Sequence, residues 1–137
     1  MAAFQHRLRV RFQHTDPAGI VFFANVLVYC HEAYEELMRQ GGMPLEEWPA
    51  RRRQALPLGH AEVDFKRPLR AGQAVQVNVL VGRLGDRSYR LEYELFGEND
   101  ECVATAATVH ISVDMATGES IAIAPDLRDL LEKYKAG

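Results

Sequence analysis

Cysteine is scarce in this sequence of 137 residues, and the two that occur, Cys30 and Cys102, form no Cys-x-x-Cys pair. Such isolated cysteines build no disulfide framework, so both are expected to be reduced. Long apolar runs are also missing. No stretch approaches the roughly 20 residues that span a bilayer, and residues 1–7 carry no apolar run typical of a secretory signal. We therefore predict a cytoplasmic protein without a membrane partner.

Charge of one sign is lacking as well, because 16 Lys and Arg residues are interspersed with 19 Asp and Glu residues for a net charge of -3. Without a basic patch or an RNA-binding or zinc-finger spacing, no nucleic-acid partner is expected. Phosphate-binding loops, dinucleotide fingerprints and Gly-x-Ser-x-Gly nucleophile motifs are absent. His6, His14, His60 and His110 show no metal spacing.

The apolar pattern predicts one long helix followed by strands. Three- and four-residue apolar steps indicate a helix over about 21–39, which Gly41-Gly42 ends. Alternating patterns predict strands over 4–13, 56–65, 73–84, 87–96 and 102–113, and residues 125–135 are expected to form a terminal helix.

Short connections between the strands predict antiparallel neighbours. In the last strand the apolar face is expected to comprise Val103, Thr105, Ala107, Val109, Ile111 and Val113. A single long apolar helix followed by a meander predicts an α+β fold of hot-dog type, in which an antiparallel sheet wraps around one central helix. One domain over residues 1–137 is expected, and a second copy is expected to cover its remaining apolar surface.

The segment from His14 to Phe23 contains one carboxylate, Asp16, in front of Pro17 and Gly19. On composition alone, an Asx turn or a helix cap is the more frequent role of such an aspartate. A functional role has a physical basis too, because the N–H groups near Phe22 and Phe23 at the following helix start favour negative charge. A carboxylate beside an oxyanion site is the minimum equipment for hydrolysing an activated carbonyl.

Two other candidate motifs are weaker. His31 and Glu35 lie one helical turn apart, but the second histidine of a His-Glu-x-x-His zinc motif is missing, which favours a solvated or subunit-facing surface. Cys30 lies on the apolar stripe and is interpreted as a packed thiol. The basic run Arg51-Arg52-Arg53 is typical of a solvated loop, although it could meet phosphates.

The stretch Asp16-Pro17-Ala18-Gly19-Ile20-Val21-Phe22 resembles the active-site loop of the 4-hydroxybenzoyl-CoA thioesterase family, whose members have the hot-dog fold. Residues 30–35, 55–61, 63–65 and 77–78 narrow the resemblance to members that act on 1,4-dihydroxy-2-naphthoyl-CoA in phylloquinone biosynthesis. The similarity runs from about Phe4 to Val113.

This resemblance implies roles for the loop. Asp16 matches the catalytic carboxylate, which acts as a nucleophile or as a general base on water. The backbone N–H of Phe23 matches the group that polarises the thioester carbonyl, with Gly19 in the same loop. Many relatives have Asp two residues before the catalytic one, where this chain has His14, and the role of this position stays open.

The resemblance also implies substrate contacts: Arg87 and Ser88 with the coenzyme A nucleotide, His60 and His31 near the acyl pocket. The expected reaction is hydrolysis of an aromatic acyl-CoA, with 1,4-dihydroxy-2-naphthoyl-CoA as the first candidate substrate. The alternatives are 4-hydroxybenzoyl-CoA, another aryl or short acyl-CoA, or acyl-CoA binding without catalysis. No metal or redox cofactor is expected, because water and one carboxylate suffice, and a homodimer or homotetramer is expected.

Overall fold

The computed structural model describes residues 2–137. It has two α-helices, α1 (Ala24–Gln40) and α2 (Pro125–Glu132), three short helical turns and seven strands. The strands are β1 (Phe4–Arg9), β2 (Gln54–Ala55), β3 (Leu58–Phe65), β4 (Ala74–Leu84), β5 (Ser88–Phe96), β6 (Cys102–Ile111) and β7 (Val113–Asp114). Five of them form an antiparallel sheet in the order β1-β4-β5-β6-β3, and β2 pairs with β7.

The core lies between α1 and one face of this sheet, which α1 contacts through β1, β4 and β6. Period-two alternation places the valines of β4 and the aromatic and leucine residues of β5 on that face. The buried residues of these two strands are Val75, Val77, Val79, Val81, Tyr89, Leu91, Tyr93 and Leu95. The helix contributes Val26, Tyr29, Cys30, Ala33, Tyr34, Leu37 and Met38. The expected α+β hot-dog arrangement is confirmed.

The apolar face expected for the last strand lies on the side of the sheet away from α1. Tyr89 pairs with His110 and Leu91 with Thr108, so the residues of β6 in register with the buried face of β5 are Ala104, Ala106, Thr108 and His110. Ala104, Ala106, Thr108 and His110 are all buried. Thr105, Ala107, Val109 and Ile111 therefore lie on the opposite face.

Neighbouring strands were predicted correctly for the β4–β5 and β5–β6 pairs and wrongly for β3 and β4. Residues 66–73 connect β3 to β4, but β4 pairs with β1 and β5, whereas β3 pairs with β6 at the sheet edge. The strand expected over 56–65 begins two residues later, at Leu58, and the expected helix starts at Ala24, not Val21. Val21 instead bridges Thr15 and donates its N–H to Leu69.

The two ends of the sheet carry different parts of the candidate site. At what we name the loop end, β4 begins at Ala74 and β3 finishes at Phe65. At the hairpin end, β5 begins at Ser88 and β3 begins at Leu58. Helix α1 runs from the loop end towards the hairpin end. No helix within residues 2–137 is long and apolar enough to cross a membrane.

Candidate active site

Asp16 lies in a tight loop at the loop end. Its carboxylate Oδ1 accepts the Ala18 N–H at 2.9 Å, its carbonyl accepts the Gly19 N–H at 2.9 Å, and its own N–H donates to the Ile20 carbonyl at 2.9 Å. Gly19 adopts φ 80°, a left-handed conformation that glycine takes without strain. The Asx turn predicted from composition is present, and it leaves Oδ2 without a hydrogen-bond donor among residues 2–137.

The start of α1 presents unpaired backbone N–H groups beside this loop. The Phe22 N–H is already engaged, since it donates to the His14 carbonyl at 2.9 Å, which corrects the expectation that this amide is free. Within the described residues, the amides of Phe23 and Ala24 donate no hydrogen bond, and no side chain caps the helix. Free amides at a helix start attract developing negative charge. The structure thus leaves the Phe23 amide unpaired among the described residues, at the helix start that follows the Asp16 loop.

An apolar groove of about 460 Å³ adjoins the helix start. Its walls include Phe23, Val26, Phe65 and Leu69, and the Phe23 and Phe65 rings meet edge to face with centroids 6.4 Å apart. Phe23 is 64% exposed and Phe65 55% exposed, which is unusual for two large aromatic side chains in contact. A groove of this size and polarity accommodates the apolar part of a ligand.

The other predicted site residues lie at the hairpin end of the same chain. Ser88 begins β5, and the exposed Arg87 precedes it, with its Nη1 donating to the Ser120 carbonyl at 3.0 Å. His31 is exposed on α1 and lines a second cavity beneath the helix. The structure therefore separates Arg87, Ser88 and His31 from Asp16 within one chain.

His60 lies apart from His31. It pairs with Val109 on the face of the sheet away from α1, and its Nε2 lies 3.0 Å from Glu62 Oε1. A register shift between Leu58 and His60 accompanies this placement. Within one chain, His31 and His60 therefore do not line a common pocket.

Sequence reasoning missed the second cavity, of about 400 Å³, at the hairpin end. Its walls comprise His31, Tyr34, Leu45, Trp48, Pro49, Ala55, Leu56, Pro57, Leu58 and His110. Burial lowers the pKa of His110 to about 4, so its imidazole is neutral. His110 can be found only from the register of β6 against β5, which pairs it with the buried Tyr89. The alternating pattern of the sequence instead placed Val109 and Ile111 on the buried face.

Both ring nitrogens of His110 have a hydrogen-bond partner, and these partners determine which nitrogen carries the proton. Nδ1 lies 3.3 Å from the Leu56 carbonyl, which can only accept, so Nδ1 carries the proton. Nε2 then accepts from the Thr108 hydroxyl at 3.0 Å, and Thr108 in turn accepts from the Tyr93 hydroxyl at 2.9 Å. The His110 ring in the cavity wall therefore has a fixed tautomer.

The thiol and the basic run that the sequence offered as other candidate sites have structural roles. Burial raises the pKa of the Cys30 thiol to about 12, so this buried side chain is not a nucleophile near neutral pH. Within residues 2–137, no three His, Cys, Asp or Glu side chains are grouped as metal ligands. The Arg52 guanidinium lies over the buried Trp48 ring and pairs with Asp126, so one arginine of the basic run is engaged in the fold.

Known proteins resemble this chain over most of its length. A profile of the thioesterase-like superfamily matches residues 10–131. A 1,4-dihydroxy-2-naphthoyl-CoA hydrolase from Synechococcus elongatus is 35% identical over 133 residues, or 96% of this chain and 97% of that protein. Its counterpart from Crocosphaera subtropica is 36% identical over 107 residues, or 77% and 78% of the two chains. The crystal structure of a 1,4-dihydroxy-2-naphthoyl-CoA thioesterase from Synechocystis has a TM-score of 0.90 at 27% identity, covering 94% of this chain and 95% of that one.

Proposed function

Because the chain belongs to the thioesterase-like superfamily, we propose that it hydrolyses 1,4-dihydroxy-2-naphthoyl-CoA to 1,4-dihydroxy-2-naphthoate and coenzyme A. Relatives that are 35–36% identical carry the name of this hydrolase. The observation that carries the proposal is the Asp16 loop, whose carboxylate has a free oxygen beside a helix start with unpaired amides. A place in phylloquinone biosynthesis stays a prediction.

Asp16 would supply the reactive group by one of two routes. Its free Oδ2 either attacks the thioester carbon or removes a proton from a water molecule that does so. In both routes the electron pair of the C=O bond moves to oxygen, and the Phe23 amide stabilises that charge. The pair then returns, the C–S bond breaks and the coenzyme A thiolate leaves. In the first route water subsequently cleaves the Asp16 anhydride.

A second copy of the chain would complete the site. The predicted binding residues Arg87 and His31 lie at the hairpin end, far from Asp16. Strand β3 is an edge strand whose outer side has no partner among residues 2–137, and its residues are mostly exposed. Antiparallel pairing of two β3 strands would place Leu58 of one copy beside Phe65 of the other. The hairpin end of each copy would then face the Asp16 loop of its partner. We therefore propose a homodimer with two shared sites.

Substrate preference tests the proposed reaction. Release of free coenzyme A would be measured with 1,4-dihydroxy-2-naphthoyl-CoA, 4-hydroxybenzoyl-CoA and straight-chain acyl-CoA at matched concentrations. We expect the largest kcat/KM for the naphthoyl substrate. A larger value for either other class would contradict the assigned acyl group, and binding of all three without release of coenzyme A would contradict the catalytic assignment.

A further inference from the structure

We propose that His14 is a second catalytic residue, whose Nε2–H binds the thioester oxygen together with the Phe23 amide. This inference rests on the proposed thioester hydrolysis and adds a residue to it. The imidazole lies two positions before Asp16, on the segment that enters the active-site loop. Three sets of contacts support the assignment.

The hydrogen bonds of His14 determine which ring nitrogen carries the proton. The Arg11 N–H lies 3.2 Å from Nδ1, and a backbone N–H can only donate. Nδ1 is therefore unprotonated, and the Tyr29 hydroxyl, at 2.9 Å, also donates to it. The proton of this neutral ring lies on Nε2, which has no hydrogen-bond partner among residues 2–137. A neutral imidazole with a free N–H can polarise a carbonyl.

His14 is held firmly against the start of α1. Its carbonyl accepts the Asn25 side-chain amide at 2.9 Å and the Phe22 N–H at 2.9 Å. Its ring meets the buried Tyr29 ring edge to face, with centroids 5.4 Å apart. Asn25 and Tyr29 are four residues apart on one side of the helix, at whose start the Phe23 amide is free. The imidazole is thus oriented by the element that carries the proposed oxyanion donor.

The backbone holds His14 beside the residues that lead into α1. A short helical turn, Phe12–His14, ends at His14, and Thr15 then runs extended, with φ -96° and ψ 158°, and bridges Val21. This bridge and the hydrogen bond from the Phe22 N–H to the His14 carbonyl fix the segment that carries the imidazole next to the residue before Phe23. During attack His14 neither gains nor loses a proton, since its Nε2–H only stabilises the charge that forms on the thioester oxygen.

The variant His14→Asn tests the proposed role of the Nε2–H separately from the structural contacts that Nδ1 makes with Arg11 and Tyr29. Its amide oxygen can take the position of Nδ1 and accept from Arg11 and Tyr29, but it has no group at the position of Nε2. We expect a melting temperature close to that of the wild type, a KM within about twofold and a kcat reduced about 10²-fold, the usual effect of removing one oxyanion donor. His14→Gln, whose amide N–H reaches further, should recover part of kcat. The matched control His6→Asn, on β1, should retain wild-type kcat.

A folded His14→Asn enzyme with wild-type kcat, or with a changed KM alone, would overturn the assignment. Histidine ¹⁵N NMR of the wild-type protein provides a test that does not depend on folding of a variant. Binding of an acyl-CoA analogue with a ketone in place of the thioester should shift the His14 Nε2–H resonance, and an unchanged resonance would overturn the proposal. The substrate used is whichever acyl-CoA the wild type hydrolyses best, so an error in the proposed acyl group leaves this test intact.

Discussion

At Asp16, one side-chain oxygen accepts a hydrogen bond that closes the turn, and the other is left without a donor among the described residues. The same side chain can therefore serve as a turn residue and as a reactive group. Gly19 and Phe23, by contrast, act mainly through their backbone. Gly19 contributes a left-handed backbone, and Phe23 contributes its amide while its exposed ring lines the apolar groove.

The charge of Asp16 can be tested without removing the turn. Asp16→Asn retains an oxygen that accepts the Ala18 N–H, so the melting temperature should change little. An amide can neither attack the thioester nor take a proton from water, so we expect kcat to fall by about 10²- to 10⁴-fold. Steady-state kinetics and a thermal melt would be measured together. A folded variant that retains more than about a tenth of wild-type kcat would contradict a catalytic Asp16.

His110 should make stability depend on pH. An unfolded histidine takes up a proton below about pH 6.5, whereas burial lowers the pKa of His110 to about 4. Acidification between these values therefore favours the unfolded state, and the free energy of unfolding should fall by up to about 3 kcal/mol. Denaturant melts at pH 7 and pH 4.5 would measure this loss. It should be smaller in His110→Gln, and equal losses in the two proteins would exclude His110 as the source.

At the scale of elements, α1 joins two different surfaces. Its first turn presents free amides and the wall of the apolar groove at the loop end, whereas Tyr34 reaches the cavity beside His110 at the hairpin end. The β4–β5 hairpin lies at this second end and carries Arg87. Since the guanidinium is exposed and its polar contacts are with a serine and a neighbouring aspartate, it is accessible to a phosphate.

Arg87 is expected to bind a phosphate of coenzyme A. Such a contact has the same strength before and during reaction, so Arg87→Ala should raise KM with little change in kcat. Exposure limits the loss to about 1 kcal/mol, or about fivefold in KM. Lowered kcat with unchanged KM would place the nucleotide elsewhere. The exposed Arg83, on the same hairpin, offers a matched control, because Arg83→Ala should leave both constants close to the wild-type values.

At the scale of the whole molecule, the predicted site residues lie apart within one chain, and we propose that two chains associate to bring them together. One chain places Asp16 and Arg87 at opposite ends of a sheet whose strands reach 11 residues in length. Because β3 is an edge strand, it can extend the sheet into a second copy. Two Phe residues exposed at the loop end, Phe23 and Phe65, would also gain cover there.

Mixing two variants tests the shared site. A dimer of one Asp16→Asn chain and one Arg87→Ala chain would contain one site with both native residues. After subunit exchange, the mixture should show a component with wild-type KM, although Asp16→Asn alone is inactive and Arg87→Ala alone has a raised KM. Sedimentation should give the mass of at least two chains. A monomer with full activity would contradict the dimer, and a mixture with only the raised KM would contradict the sharing of each site between two chains.

The sequence by itself determined the local features of this protein. Alternating valines specified the buried face of β4, helical spacing specified α1, and Asp16 with Gly19 specified the turn, because each depends on residues close together in the chain. The loop itself was recognised by its resemblance to a known active site, since composition alone favoured an ordinary turn.

Only the tertiary structure decided which face of β6 meets α1, that β3 lies beside β6, and that Phe23 rather than Phe22 has a free amide. A strand register is specified by contacts with other strands, and a shift of one residue exchanges the two faces. The neutral ring of His14 has the same origin, since its proton is directed to Nε2 by donors at Arg11 and Tyr29 that meet only when the loop packs against the helix. Interactions between residues distant in sequence arise from packing, and local patterns do not encode them.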